Sequence, residues 1–376
     1  MNQQLKEFLK NTSYYLTNYF PFVFCIAVCF GFDLIIAFSF CLISIVFAPE
    51  TENKNTMPLI ISFLLIGLNS EYALSASIVC GLMMIVSAFF ADKIRNLFSS
   101  PFLSGIMIST ALTVTVLFTT DYFGIGATGS NVTEMIKSYI SLGFHPNWRG
   151  VLYGTIVLVI MITFPRKFKV FSKYVSAPFI ALVFTLILNL LLNPSDMISS
   201  INEITSFNHI AAKEYFTDRI CFIFDIKTLL IGFALFITLF YSVSSENNAS
   251  IKNYVSCGLM NVVFSGLYGI PVVYRIEKKI FNPLAKLSAI IILSVSFLLL
   301  DDILLRMPVH SCAVVVIVTA WSNVKWREIK TQFKGIIPLI CFVISSVITL
   351  TSDLVFGTVI SFALSALYSK LNKAEE

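Results

Sequence analysis

The chain has 376 residues, of which 57% are hydrophobic and only 12% charged, and its mean hydropathy is +0.86. Soluble domains carry about a quarter charged residues, so a soluble globular protein is excluded; at roughly 20 residues per span the apolar runs accommodate about a dozen helices of an all-α polytopic membrane protein. The net charge of +5 sits mostly in short loops, where it reports orientation rather than nucleic-acid binding.

The polar start, residues 1–11, leads into an apolar run over 19–47. That run is too long for the apolar core of a cleavable signal peptide, too long for one upright helix and too short for two. It contains Asp33, which reads either as an intramembrane carboxylate that couples transport to an ion or as a group at a helix junction that sees water. A polar hairpin over 49–55 then gives way to Thr56-Met57-Pro58. A threonine cap with proline in the first turn predicts a helix start here, either within the membrane or at its surface. Further spans are predicted over 73–90, 101–118, 150–164 and 175–192, and in the second half over 220–241, 254–267, 284–300, 308–321, 336–350 and 354–368. Lys93/Arg95, Arg166/Lys167/Lys169/Lys173, Lys278/Lys279/Lys286 and Lys325/Arg327/Lys330/Lys334 form four basic clusters, whereas the loops 120–148 and 193–218 are longer and richer in acids. The positive-inside rule therefore puts the clusters and both termini in the cytoplasm, which suits a plasma (inner) membrane.

The most informative stretch runs from Gly258 to Tyr274. An apolar helical pattern stops at Ser265-Gly266, the chain breaks at Gly269-Ile270-Pro271, and apolar residues resume at once. Pro271 fits the first turn of a new helix; the bland alternative is an interhelical turn. A broken helix at membrane depth is tolerated where it lines a cavity, and its N-terminus favours negative charge. Breaks at Thr56–Pro58 and Gly269–Pro271, one in each half, are the pattern of an inverted-repeat transporter with its site at the midplane. The candidate binding residues are thus Thr56, Met57, Pro58, Pro271, Val272, Val273, Tyr274 and Arg275. Arg275 either offers an anion two parallel hydrogen bonds or belongs to the basic cluster ending at Lys286; Tyr274 either donates to substrate or anchors an interface. His310 reads as a packed neutral histidine or a titrating one, Asp301 and Asp302 as solvated, Asp353 as a helix N-cap, and Asn131-Val132-Thr133 as an external sequon. The 8 cysteines lie in or beside apolar runs without metal-ligand spacing. Neither a cofactor signature nor a nucleophile–base pair at reactive spacing appears, so an enzyme is not expected.

Several stretches together carry a family resemblance. Gly258 to Pro271 is similar to G-L-A-N-x-x-S-G-L-F-G-G-x-P, with Gly258, Asn261, Gly269 and Pro271 in register. Pro101-Phe102-Leu103-Ser104-Gly105 is similar to R-P-V-x-x-G-F, and Ala177-Pro178-Phe179-Ile180-Ala181-Leu182-Val183 to P-x-P-L-x-A-L-V. Met307-Pro308 through Trp321 is similar to I-P-x-A-x-L-A-x-x-L-I-V-x-x-W, and Asp353-Leu354-Val355-Phe356-Gly357 to D-L-x-x-G. From about Leu74 onward the chain resembles the SulP sulfate-permease (solute-carrier sulfate transporter) family. The resemblance implies about 12–14 transmembrane helices in two inverted seven-helix repeats, near residues 12–193 and 219–369 of a single domain, divided into core and gate. It also implies an anion site between two facing half-helix N-termini, and, since family members are often dimers, a homodimer. The chain departs from the family pattern: the run over 19–47 is too short for the usual two helices before the first half-helix, the stretch from Pro271 to Pro308 is several residues shorter, the usual Ser-Arg after the second break is absent, no acid occurs from Lys227 to Ser245, and the C-terminal STAS domain is not found.

The reading that emerges is a secondary transporter or exchanger of small inorganic anions, sulfate or bicarbonate, embedded in the lipid bilayer and driven by a proton or sodium gradient if it is coupled. The rival readings are a nucleobase or organic-acid permease on the same fold and a degenerate, non-transporting membrane partner protein.

Overall fold

Hydrocarbon offers no hydrogen-bond partners, so a chain this apolar must satisfy its amides within its own helices. The computed structural model describes residues 3–29, 38–39, 41–43, 45, 50–51, 56–127, 129, 131–192, 223–245, 250–263, 276–277 and 283–375, and it is helical almost throughout. In chain order the helices are α1 (Gln3–Tyr14), α2 (Phe20–Cys29), α3 (Met57–Gly67), α4 (Ala73–Ser87), α5 (Ala91–Arg95), α6 (Ser100–Phe123), α7 (Val132–Leu142) and α8 (Trp148–Lys167). They continue with α9 (Ala177–Leu192), α10 (Ile226–Ser244), α11 (Ile251–Val263), α12 (Pro283–Leu304), α13 (Val309–Ser322), α14 (Trp326–Gln332), α15 (Ile336–Thr351) and α16 (Leu354–Glu375). Among the described residues, 6 helices are long and apolar enough to cross a membrane, and α3, α9, α13 and α15 are shorter apolar helices. This is an all-α polytopic membrane fold.

Within the described residues the predicted spans reappear with their ends moved by a few residues; residues 220–222 and 264–267 of two of them lie outside the described residues. Two helices stand where none was expected. The polar start folds as α1 and runs through a π-helical turn, Tyr15–Tyr19, into α2. Within the loop predicted over 120–148, α7 is capped by the sequon's Asn131, whose side chain accepts from the Glu134 amide at 2.9 Å. Asp353 behaves as the expected N-cap, its carboxylate accepting from the Val355 amide at 3.3 Å. Asp302 is exposed, as expected.

Close packing depends on small residues. α4 crosses α11 where Gly81 and Gly258 face each other: a Cβ built on either lies 2.6 Å from the other's carbonyl oxygen. The opposite flank of α4 takes α10, where a Cβ on Gly232 would meet Val79 at 2.7 Å. Elsewhere α6 packs on α15 through Gly105 against Ser345, and the Ser345 hydroxyl donates to the Phe102 carbonyl at 2.9 Å. The halves also exchange partners. From the first half α6 packs on α15 and α16, from the second half α13 packs on α8 and α9, and α6 and α13 meet between them.

Candidate functional site

The site is built around the start of α3. This helix is apolar on all sides and every residue from Met57 to Gly67 is buried, as expected of a helix surrounded by protein. Its 11 residues span about 16 Å at 1.5 Å per residue, roughly half of a hydrocarbon core. It is a half-helix.

Thr56 is its N-cap and Pro58 occupies the first turn. The Thr56 carbonyl accepts from the amides of both Leu59 (3.1 Å) and Ile60 (3.2 Å). Pro58 has no N–H to give, so the cap hydroxyl has no free amide to accept from at the second or third helical position, where a capping side chain normally bonds. Accordingly the Thr56 side chain makes no capping hydrogen bond, and its buried Oγ1 has no partner among the described residues. The amides of Leu59 and Ile60 are therefore engaged by Thr56 itself. What the mouth of the half-helix presents instead is the Thr56 hydroxyl and the Thr56 amide, the latter donating to Asn323 Oδ1 at 3.0 Å.

Of the other candidate residues, Met57 is fully buried and Pro58 buried, whereas Pro271, Val272, Val273, Tyr274, Arg275 and Asp33 lie outside the described residues. The structure does bring the flanks of the two breaks together. Glu50–Thr51 (β1), just before Thr56, pairs in parallel with Ile276–Glu277 (β2), just after Arg275, in the register Glu50↔Ile276 and Thr51↔Glu277. A two-residue pairing carries little stability of its own, but it places residues 50–51 beside residues 276–277.

His310 is not part of this corner. It opens α13 while Asn323 closes it, about 20 Å apart along a 14-residue helix. His310 is 1% exposed, and its Nδ1 lies 3.2 Å from the Tyr122 carbonyl, which makes it a packed histidine. Sequence reasoning missed Asn323, and read Lys325, two positions further on, only as part of a basic cluster. Lys325 reaches Glu328 Oε1 at 2.8 Å and the Tyr241 hydroxyl at 3.3 Å. Burial works against its charge, but Tyr241 and Glu328 outweigh that and leave its pKa raised. The available signal was slight: a polar Asn-Val-Lys immediately after the tryptophan that ends a span. Among the described residues no group of three or more histidine, cysteine or acidic side chains could hold a metal ion.

The architecture has counterparts among solved structures. The transmembrane domain of a cyanobacterium bicarbonate transporter, BicA, superposes with a TM-score of 0.65 at 16% identity, over 97% of this chain and 98% of that one. The chain shares the fold of that transmembrane domain. SLC26A9 aligns with a TM-score of 0.63 at 13% identity, over 97% of this chain and 65% of that one. Murine Slc26a9, an anion transporter in the inward-facing state, aligns with a TM-score of 0.65 at 11% identity over 98% and 68%. No protein-family model matches the sequence, and no curated protein matches it. At such identities the likeness is one of fold.

Proposed function

We propose that this protein is a secondary transporter or exchanger of a small inorganic anion, with bicarbonate and sulfate as the leading substrates. The observation that carries the proposal is the buried hydroxyl of Thr56, which has no partner among the described residues, at the mouth of a half-helix. A buried hydroxyl without a partner costs about 1–3 kcal/mol, and an oxyanion at the positive end of α3 supplies the missing acceptor. The pairing of β1 with β2 supports a second wall for the site from Pro271–Arg275. Reciprocal exchange of α6 and α13 between the halves supports inverted repeats near 12–193 and 219–369, with transport by movement of core against gate. Basic loops on one side support cytoplasmic termini. Asp33 remains the coupling candidate if protons or sodium drive uptake. A nucleobase permease is disfavoured, because α10 carries no carboxylate to bind the base.

The test is uptake of labelled bicarbonate and sulfate into proteoliposomes, with and without proton and sodium gradients. Thr56→Val removes the hydroxyl and keeps the shape. Losing a hydrogen bond to a charged ligand, about 1.5–3 kcal/mol, raises KM roughly tenfold or more. The Tm of the empty protein stays the same or rises, because an unsatisfied hydroxyl has become a methyl. Absence of uptake by folded wild type for both anions overturns the proposal.

A further inference from the structure

The Asn323 carboxamide bridges two helices that lie far apart in sequence. Its Oδ1 accepts from the Thr56 amide at 3.0 Å across a separation of 267 residues, and its Nδ2 donates to the Thr319 carbonyl, one turn back in α13, at 2.8 Å. A peptide N–H only donates and a peptide carbonyl only accepts, so these two partners leave the carboxamide one orientation. The Asn323 backbone amide also closes α13 on Thr319 and Ala320, and Trp321 two residues earlier ties α13 to α6 by donating from Nε1 to Thr115 Oγ1 at 2.8 Å. The bridge is thus mounted on a helix held by its neighbours, and its oxygen is aimed at the mouth of α3. Lys325, two residues further on, is committed elsewhere, since it is taken by Glu328 and Tyr241.

We infer that Asn323 is an intramolecular stand-in for the anion: a positioning residue that occupies the Thr56 amide while the site is empty and yields it when substrate arrives. The inference rests on the anion-transport proposal above. A part-buried amide left bare is costly, so an acceptor must hold it between transport cycles. A neutral carboxamide oxygen suits that task, because a hydrogen bond from the same N–H to a charged oxyanion is roughly twice as strong. Because the stand-in belongs to α13, releasing it also cuts a tie between α13 and the half-helix. Occupancy of the site is thereby linked to the freedom of one element to move against the other, a coupling carried by a difference in contacts between the two states.

The test compares wild type with Asn323→Ala and Asn323→Asp. Readouts are KM and Vmax for bicarbonate and sulfate uptake, the anion-dependent rise in Tm in detergent, and hydrogen exchange of the Thr56 amide. Asn323→Ala removes the competitor, so KM falls about fivefold, the worth of an ordinary neutral hydrogen bond. Its Thr56 amide exchanges faster when empty and is protected again by saturating anion. Asn323→Asp tethers a permanent anion in the same place, so KM rises at least tenfold and added anion no longer raises Tm. A residue with a merely structural role would lower folded yield and Vmax in both variants while KM stayed flat or rose in both; that pattern overturns the inference. If wild type binds either anion but Asn323→Ala shows no tightening, the stand-in alone fails. If wild type binds neither, the transport proposal fails and the stand-in with it.

Discussion

Gly258→Val is expected to remove most of the folded protein, seen as loss of the monodisperse peak on size-exclusion chromatography and a large fall in Tm. A Cβ at position 258 would sit 2.6 Å from the Gly81 carbonyl oxygen, 2.7 Å from Ile85 Cγ1 and 3.1 Å from the Ile85 amide nitrogen. Two of those three are main-chain atoms of α4, which no rotamer change can move aside. The helix cannot retreat either, because α10 holds its other flank: a Cβ on Gly232 already meets Val79 at 2.7 Å and the Ala76 carbonyl at 3.0 Å. Overpacking of this kind costs about 3 kcal/mol or more where backbone must shift, a large share of the stability of an ordinary protein. Gly81→Val should do the same from the opposite side of the crossing. Leu259→Ala is the control, since that neighbouring side chain is 51% exposed on a helix in lipid and its loss should leave Tm nearly unchanged. An unaltered Tm for Gly258→Val would show that the crossing is looser than the carbonyl contacts imply.

This glycine also shows what was and was not legible in the sequence. Gly258 and Asn261 stood out as motif positions, yet nothing local revealed that Gly258 serves helix contact, because the carbonyl it must admit belongs to Gly81. The spans themselves were legible, since hydrocarbon burial is written into composition and run length. The half-helix was legible too, from a threonine and a proline placed before a short apolar run. Its hydrogen bonding was not. That the amides of Leu59 and Ile60 both return to Thr56 follows from φ and ψ at the cap, and only with those bonds in place does the missing N–H of Pro58 leave the Thr56 hydroxyl over. The helices α1 and α7 were hidden by composition: polar sequences give no apolar-run signal, and amphipathic periodicity had to be sought separately. Asn323 and the pairing of Glu50–Thr51 with Ile276–Glu277 were out of reach, because each joins residues more than two hundred positions apart and no single segment records its partner.

The second large effect is expected where α8 meets α13, in a double-mutant cycle on Gly150 and His310. A Cβ on Gly150 would lie 2.2 Å from His310 Nε2 and 2.3 Å from Cε1, so Gly150→Ala drives a methyl into the imidazole. The ring has nowhere to turn. Its Nδ1 lies 3.2 Å from the Tyr122 carbonyl, an acceptor that fixes the proton on Nδ1, and its Cε1 faces Gly124, where an added Cβ would come within 3.0 Å. Gly124 closes α6 with φ of +64°, a left-handed conformation that suits glycine, so this wall is rigid as well. Gly150→Ala should therefore destabilise by about 3 kcal/mol. His310→Ala should cost about 2–3 kcal/mol, through the cavity it opens and the hydrogen bond it removes. In the double variant the new methyl enters the space the ring has left, so the two losses fall short of their sum by about 2 kcal/mol, measured from Tm and denaturant midpoints in detergent. Simple additivity would mean that the ring moves aside at little cost and that the histidine is not boxed in. Since this contact lies a whole helix length from Thr56, KM for anion uptake in the double variant should equal that of wild type. A changed KM would show that the His310 end of α13 reaches the site through the same helix that carries Asn323.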